Sequence, residues 1–117
     1  MYKVIGIVGS RRRRSSSDRD ALIAAFDLIY NPGNEIVSGG CPVGGDAFAE
    51  ELARQRGLTI TIHHADWDAG KSAGLIRNTK IAEACDVLLA LIASDRTGGT
   101  EYTIRKARKF NKHIILI

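Results

Sequence analysis

Strand-like and helix-like segments alternate along the whole chain, and no hairpin turn joins any two of the strands. Strands that never meet through a tight turn pair in parallel, with each helix crossing over a face of the sheet. Lys3–Gly9 (KVIGIVG) is an unbroken, β-branched apolar run and reads as a central strand buried on both faces. Gly6 and Gly9 within it leave room for a helix and a ligand to come close. Ser15-Ser16-Ser17-Asp18 supplies capping groups for a helix over Arg19–Tyr30, and Asn31-Pro32-Gly33-Asn34 stops it. A second strand, Glu35–Ser38, leads through glycines to a helix over Asp46–Arg56, which Gly57 ends. Leu58–His63 alternates in polarity and reads as an edge strand, followed by a long polar loop, His64–Gly74. A helix over Leu75–Ala84, a buried strand at Asp86–Ala93, a helix over Thr100–Phe110 and a last strand at His113–Ile117 complete the series. The expectation is one α/β domain spanning residues 1–117, a three-layer sandwich with a five-stranded parallel sheet. Right-handed crossovers favour the strand order 3-2-1-4-5.

In such a sheet, ligands bind where the strands end, beside the point at which the strand order reverses. All the unusual loops (10–17, 39–46, 64–78 and 94–101) fall at that edge. Glu35–Glu50 (EIVSGGCPVGGDAFAE) runs from a strand through Gly39, Gly40, Gly44 and Gly45 to Asp46 and a helix start. Glycines there permit positive φ and close approach, and backbone N–H groups at a helix start suit a phosphate or another anion. Gly98-Gly99-Thr100 offers a second such turn, and Thr100 can donate a hydrogen bond to a phosphate. The geometric expectation is that these two turns meet over the sheet and grip one anion.

Charge narrows the class of partner. There are 17 Lys and Arg against 13 Asp and Glu, a net +4, and without Arg11 to Arg14 the two counts are equal. The positive excess is therefore one loop, and no aromatic residues interleave with it, so nucleic-acid binding is open but not favoured. Arg11, beside Ser10, is placed to clamp a phosphate, and the other three arginines read as a solvated face. No apolar run reaches membrane-spanning length, which points to a cytoplasmic protein without a membrane partner.

Cys41 and Cys85 lack metal-ligand spacing, and adjacent His63 and His64 face opposite ways on a strand, so no metal site and no cofactor are expected. Cys41, Cys85 and Trp67 read as packing residues, with Trp67 alternatively a lid over a base. Ala65–Ser72 (ADWDAGKS) loosely fits a phosphate-binding P-loop through Lys71. Asp66 and Asp68 would put two negative charges in that cradle, which makes a nucleoside triphosphatase the less favoured alternative.

Taken together, Gly9-Ser10-Arg11, Ser38–Asp46 with Ala49–Ala53, Ala65–Asn78 and Gly98–Glu101 resemble the YspA-like branch of the SLOG superfamily. That Rossmann-like group also includes the lonely-guy phosphoribohydrolases and DNA-processing protein A. The resemblance covers nearly the whole chain in order, and Ala65–Asn78 is its most specific part. It implies a nucleotide or nucleotide-derived ligand at the glycine loops, with Ser38, Asp66, Trp67, Lys71 and Asn78 among the contacts. It further implies pairing of copies through their helices. From the lonely-guy branch it implies hydrolysis of the N-glycosidic bond of a nucleoside 5′-monophosphate, with Arg77 and Glu101 as the catalytic residues. Arg77 would neutralise the phosphate or position the sugar, and Glu101 would hold the ribose and stabilise oxocarbenium-like charge. Here Glu101 follows Thr100 directly, one residue earlier than in the lonely-guy motif, which turns a helical side chain by about 100°. A hydrolase, a non-catalytic nucleotide sensor and a nucleic-acid-binding module all remain open on the sequence.

Overall fold

The computed structural model describes residues 2–70 and 72–117. Its elements follow in the order β1 (Val4–Gly9), α1 (Ser16–Ile29), β2 (Glu35–Gly39), α2 (Gly45–Arg56), β3 (Ile60–His63), a 3-10 turn (Trp67–Ala69), α3 (Ala73–Ala84), β4 (Val87–Leu91), α4 (Gly99–Lys109) and β5 (His113–Leu116). The five strands form a single sheet in the order β3-β2-β1-β4-β5, with every neighbouring pair parallel. The fold is thus the Rossmann-like sandwich expected, with β1 at its centre. No helix among the described residues is long and apolar enough to cross a membrane.

Alternation along the strands divides the core between the two faces of the sheet. Ile5 and Ile7 of β1, Ile36, Leu89 and Leu91 join Leu22 and Phe26 of α1 and Leu52 of α2 on one face. Val8, Val37 and Leu88 join Ile81 of α3 and Ile104 of α4 on the other. β4 is buried at every position, as its unbroken apolar run requires. The carboxylate of Asp86 ties down the start of β1 by accepting hydrogen bonds from the Lys3 and Val4 amides at 2.8 and 2.9 Å.

All four helices begin earlier than the sequence pattern places them, α2 and α4 by one residue and α1 and α3 by more. α1 starts at Ser16 because Ser15, the first of the three serines, is the cap. Its hydroxyl accepts from the Asp18 amide, while the Asp18 carboxylate accepts from the Ser15 amide, closing a capping box. α3 begins at Ala73, two residues before the apolar pattern does, and carries Gly74 in its first turn.

The glycines explain how closely the layers approach. A Cβ on Gly6 would lie 2.9 Å from the Cβ of Cys85, at the end of α3. A Cβ on Gly45 would lie 2.8 Å from backbone atoms of Val8 and Gly9, so α2 starts directly against the end of β1. Of the four glycines in the β2–α2 turn, only Gly44 has positive φ.

Candidate functional site

The loops after β1, β2, β3 and β4 gather at the C-terminal edge of the sheet and enclose a cleft of about 390 Å³ beside the ends of β1 and β4. β1 contributes Val8 and Gly9, and the loop after it contributes Ser10, Arg11 and Arg12. From the other side come Thr97 to Thr100, where α4 begins. Gly98 caps α4 with φ +102° and no side-chain cap, so the first amides of this helix lack the local partner that α1 has. With the helix dipole, such an end attracts an anion. Trp67, Gly74 and Leu75 give the cleft an apolar, aromatic wall. Trp67 is 61% exposed, its ring edge at the rim near Gly74, so it is not the packing residue that the sequence suggests.

Arg77 and Asn78 connect this wall to the start of α4. Arg77 Nε donates to Asn78 Oδ1 at 2.7 Å, and Asn78 Nδ2 donates to the Gly99 carbonyl at 3.3 Å. Beside them is Asp46, 8% exposed, whose carboxyl lines the cleft from the first turn of α2. Asp46 Oδ2 accepts from the Cys41 amide at 3.2 Å, and Oδ1 lies 3.1 Å from Ser38 Oγ. Burial pushes its pKa up; the Cys41 amide, the Ser38 hydroxyl and the Arg77 charge pull it back, and burial wins. Cys41 also lines the cleft, half-buried, rather than packing in the core. Cys85 is the packing cysteine, its thiol pushed up to about 11 by burial.

The arginine run does not behave as one solvated face. Arg11 is exposed at the cleft. Arg12 reaches across to the loop before α4, donating to Asp95 at 2.8 and 2.7 Å and to Thr97 Oγ1 at 3.2 Å. That contact holds the Asp95 carboxyl well below the usual range. Arg13 turns inward, pairing with Asp18 at 2.6 Å and donating to the carbonyls of Ile92 and Ile117 at 2.8 and 2.7 Å.

The expected site residues separate into two groups. Gly9, Ser10, Arg11, Asp46, Trp67, Arg77, Asn78, Gly98, Gly99 and Thr100 come together in the cleft. Gly39, Gly40, Gly44 and Gly45 do not line it, so the β2–α2 turn offers no glycine cradle to an anion there. Gly44 and Gly45 are taken up by close approach to Ser10 and to the end of β1. Gly39 and Gly40 lie under the side chains of Asp46 and Arg77, and of His64. Ser38 is fully buried, its hydroxyl donating to the Ile7 carbonyl at 2.6 Å. Asp66 lines a separate, smaller cavity of about 230 Å³ with His64 and Lys80, a cavity that shares Arg77 with the cleft.

Glu101 is absent from the cleft lining. Its carboxylate accepts from Arg96 Nε and Nη2 at 2.8 and 2.9 Å, which lowers its pKa. Lys71 lies outside the described residues. Among the described residues no group of three or more His, Cys, Asp or Glu could hold a metal.

Sequence reasoning missed Arg12, Leu75 and the cleft position of Cys41. Four identical residues in a row carry no mark of which one reaches Asp95, 83 residues away. An apolar Leu75 at a helix start reads as core until the loop before it is folded.

The chain is 38% identical over 97 residues to the Gene 61 protein of Mycobacterium phage D29, a match that spans 77% of this chain and 75% of the phage protein. No family model matches the chain. No solved structure matches it.

Proposed function

The chain belongs to the family of the Gene 61 protein of Mycobacterium phage D29, and from that premise we propose that it binds a nucleotide or nucleotide-derived small molecule in the cleft beside β1 and β4. The observation that carries this reading is an uncapped helix start, Gly98–Thr100, opening into the same cleft as Arg11 and the exposed ring of Trp67. An anionic group would rest on the α4 amides, Thr100, Ser10, Arg11 and Arg77, and a base would lie against Trp67 and Leu75. A cleft of about 390 Å³ falls within the range of small-ligand pockets. The same reading agrees with membership of the YspA-like branch of the SLOG superfamily, which is proposed with it.

Binding without turnover at Glu101 is favoured over N-glycosidic hydrolysis through that residue. For Glu101 to reach a ribose, its two hydrogen bonds to Arg96 would have to open and its side chain turn into the cleft. Nucleic-acid binding is less favoured because Arg12 and Arg13 are engaged within the protein.

Trp67 is the only tryptophan in the chain and therefore reports on the cleft directly. Titration with nucleoside 5′-monophosphates should change its fluorescence with a saturable, micromolar midpoint. Arg11→Ala should weaken that binding by roughly tenfold, the scale of one charge-assisted hydrogen bond. Incubation with the same nucleotides should release no free base. Unchanged Trp67 emission up to millimolar concentrations of every nucleotide would refute the reading.

A further inference from the structure

Asp46 is a carboxyl placed where an anion is expected, and its surroundings show how the two coexist. Ser38 Oγ has one proton and two neighbours, the Ile7 carbonyl at 2.6 Å and Asp46 Oδ1 at 3.1 Å. An ionised Oδ1 must share that proton with the nearer carbonyl, whereas a protonated Oδ1 can donate to Ser38 Oγ and leave the hydroxyl proton to Ile7. The other oxygen, Oδ2, accepts from the Cys41 amide at 3.2 Å and needs none. A neutral acid therefore satisfies every partner at this position.

One charge opposes that state. Arg77 extends over the same glycine as Asp46: a Cβ on Gly39 would lie 2.6 Å from Asp46 Oδ2 and 2.8 Å from Arg77 Nη1. The two groups face each other there without closing to an ion pair, and Arg77 favours the ionised carboxylate. The other titratable groups nearby are Arg11 and Arg12 on the β1–α1 loop, the thiol of Cys41, His64, whose ring lies under Gly40, and Asp66 and Lys80, which line the adjoining cavity with His64 and Arg77. Arg12 is already neutralised by Asp95, and α4 presents only the uncharged Thr100 and Thr103.

We propose that Asp46 is the proton-carrying residue of this cleft: when an anion engages Arg77, the Asp46 carboxyl takes up one proton, so that anion binding and protonation are a single linked event. The cause is the loss of the one positive charge that faces the carboxylate, which leaves its burial opposed only by hydrogen bonds. Reciprocity then requires that protonation of Asp46 tighten anion binding by the same factor. The sign follows from the direction of the change. Anion binding raises the Asp46 pKa, so affinity is highest and flat below the pKa of the free protein. It falls by up to tenfold per pH unit between the free and bound pKa values, and is flat again above both. This linkage presupposes the anion site proposed above.

Sulfate suits the test because its charge stays constant from pH 4 to 9. The ¹³Cγ resonance of Asp46, identified by its loss in Asp46→Asn, is followed through pH at constant ionic strength, with and without sodium sulfate. Sulfate should move the titration midpoint upward in the wild type and leave it in place in Arg77→Gln. Asp46→Asn keeps the shape of the neutral acid, donating to Ser38 Oγ and accepting from the Cys41 amide. Its sulfate affinity, read from Trp67 emission, should not vary with pH through the window in which the wild type weakens. An Asp46 midpoint that ignores sulfate while nucleotides still perturb Trp67 would overturn the linkage and leave the ligand site standing. The same pH slope in Asp46→Asn would also overturn it. If neither sulfate nor any nucleotide binds, the linkage and the ligand site both fall.

Discussion

Arg13 shows how little a residue's type says about its task. In a run of four arginines it alone turns under the loop, where one guanidinium holds Asp18 and the carbonyls of Ile92 and Ile117. Those carbonyls lie just past β4 and β5, so this side chain ties the ends of the two strands together. Arg13→Ala removes three charge-assisted bonds from a half-buried position and should cost about 2 kcal/mol of unfolding free energy. Arg13→Lys should recover little, because an ammonium cannot reproduce the planar fork. Denaturant titration checks both, and a variant within experimental error of the wild type would contradict this role. Glu101 makes the converse point. A carboxylate in the first turn of a helix after a glycine pair looks catalytic, and the resemblance to the lonely-guy motif strengthens that impression. What it touches depends on Arg96, a non-glycine residue held at φ +55°. No periodicity or motif could have indicated that turn.

Among the helices, capping separates structure from site. α1 satisfies its own N-terminus with the Ser15–Asp18 box, whereas α2, α3 and α4 start at Gly44, Ser72 and Gly98 without side-chain caps. Ser15→Ala should therefore lower stability by about 1 kcal/mol and leave nucleotide affinity unchanged. Gly45→Ala should do more damage. Its Cβ would lie 2.8 Å from backbone atoms of Val8 and Gly9, which cannot move aside as a side chain can. A loss of about 2–3 kcal/mol is expected, on the scale of overpacking a core. Thermal unfolding of the two variants checks this order, and equal losses would contradict it. The elements themselves were legible because strands buried on both faces read as unbroken apolar runs, and Lys3–Gly9 and Asp86–Ala93 are such runs. The start of α1 was misplaced because a row of serines followed by Asp identifies a cap without saying which serine fills it. The glycine-rich turn before α2 misled for a related reason: glycine marks close approach, and here the approaching group is β1 backbone and not a ligand.

At the scale of the molecule, alternation and crossover handedness gave the strand order, and the strand order gave the edge on which the cleft lies. Which side chains face that cleft was not legible, because contacts such as Arg12–Asp95 form only once the sheet has brought distant loops together. The same long-range contacts govern how the whole protein responds to acid. Asp18, Asp27 and Asp86 all have pKa values lowered in the folded state, the first two chiefly by arginine hydrogen bonds and Asp86 by backbone amides. For these groups the unfolded chain binds protons more readily, so their stabilisation is full above the unfolded pKa near 3.8 and is lost as pH falls through the folded values. Asp46 runs the other way. Its folded pKa is raised by burial, so the folded protein holds this proton more tightly than the unfolded chain does. That advantage is complete below 3.8 and disappears as pH rises through the folded pKa, above which the carboxylate is a buried charge. Asp46→Asn should therefore match the wild type near pH 3.5 and become progressively more stable relative to it as pH rises. The difference should grow by up to about 1.4 kcal/mol per pH unit until the folded pKa is passed, and then stay constant. Guanidinium midpoints at pH 3.5, 5, 6 and 7.5 measure this directly. A difference that is constant in pH would mean that Asp46 is not desolvated as its position requires, whatever the cleft binds.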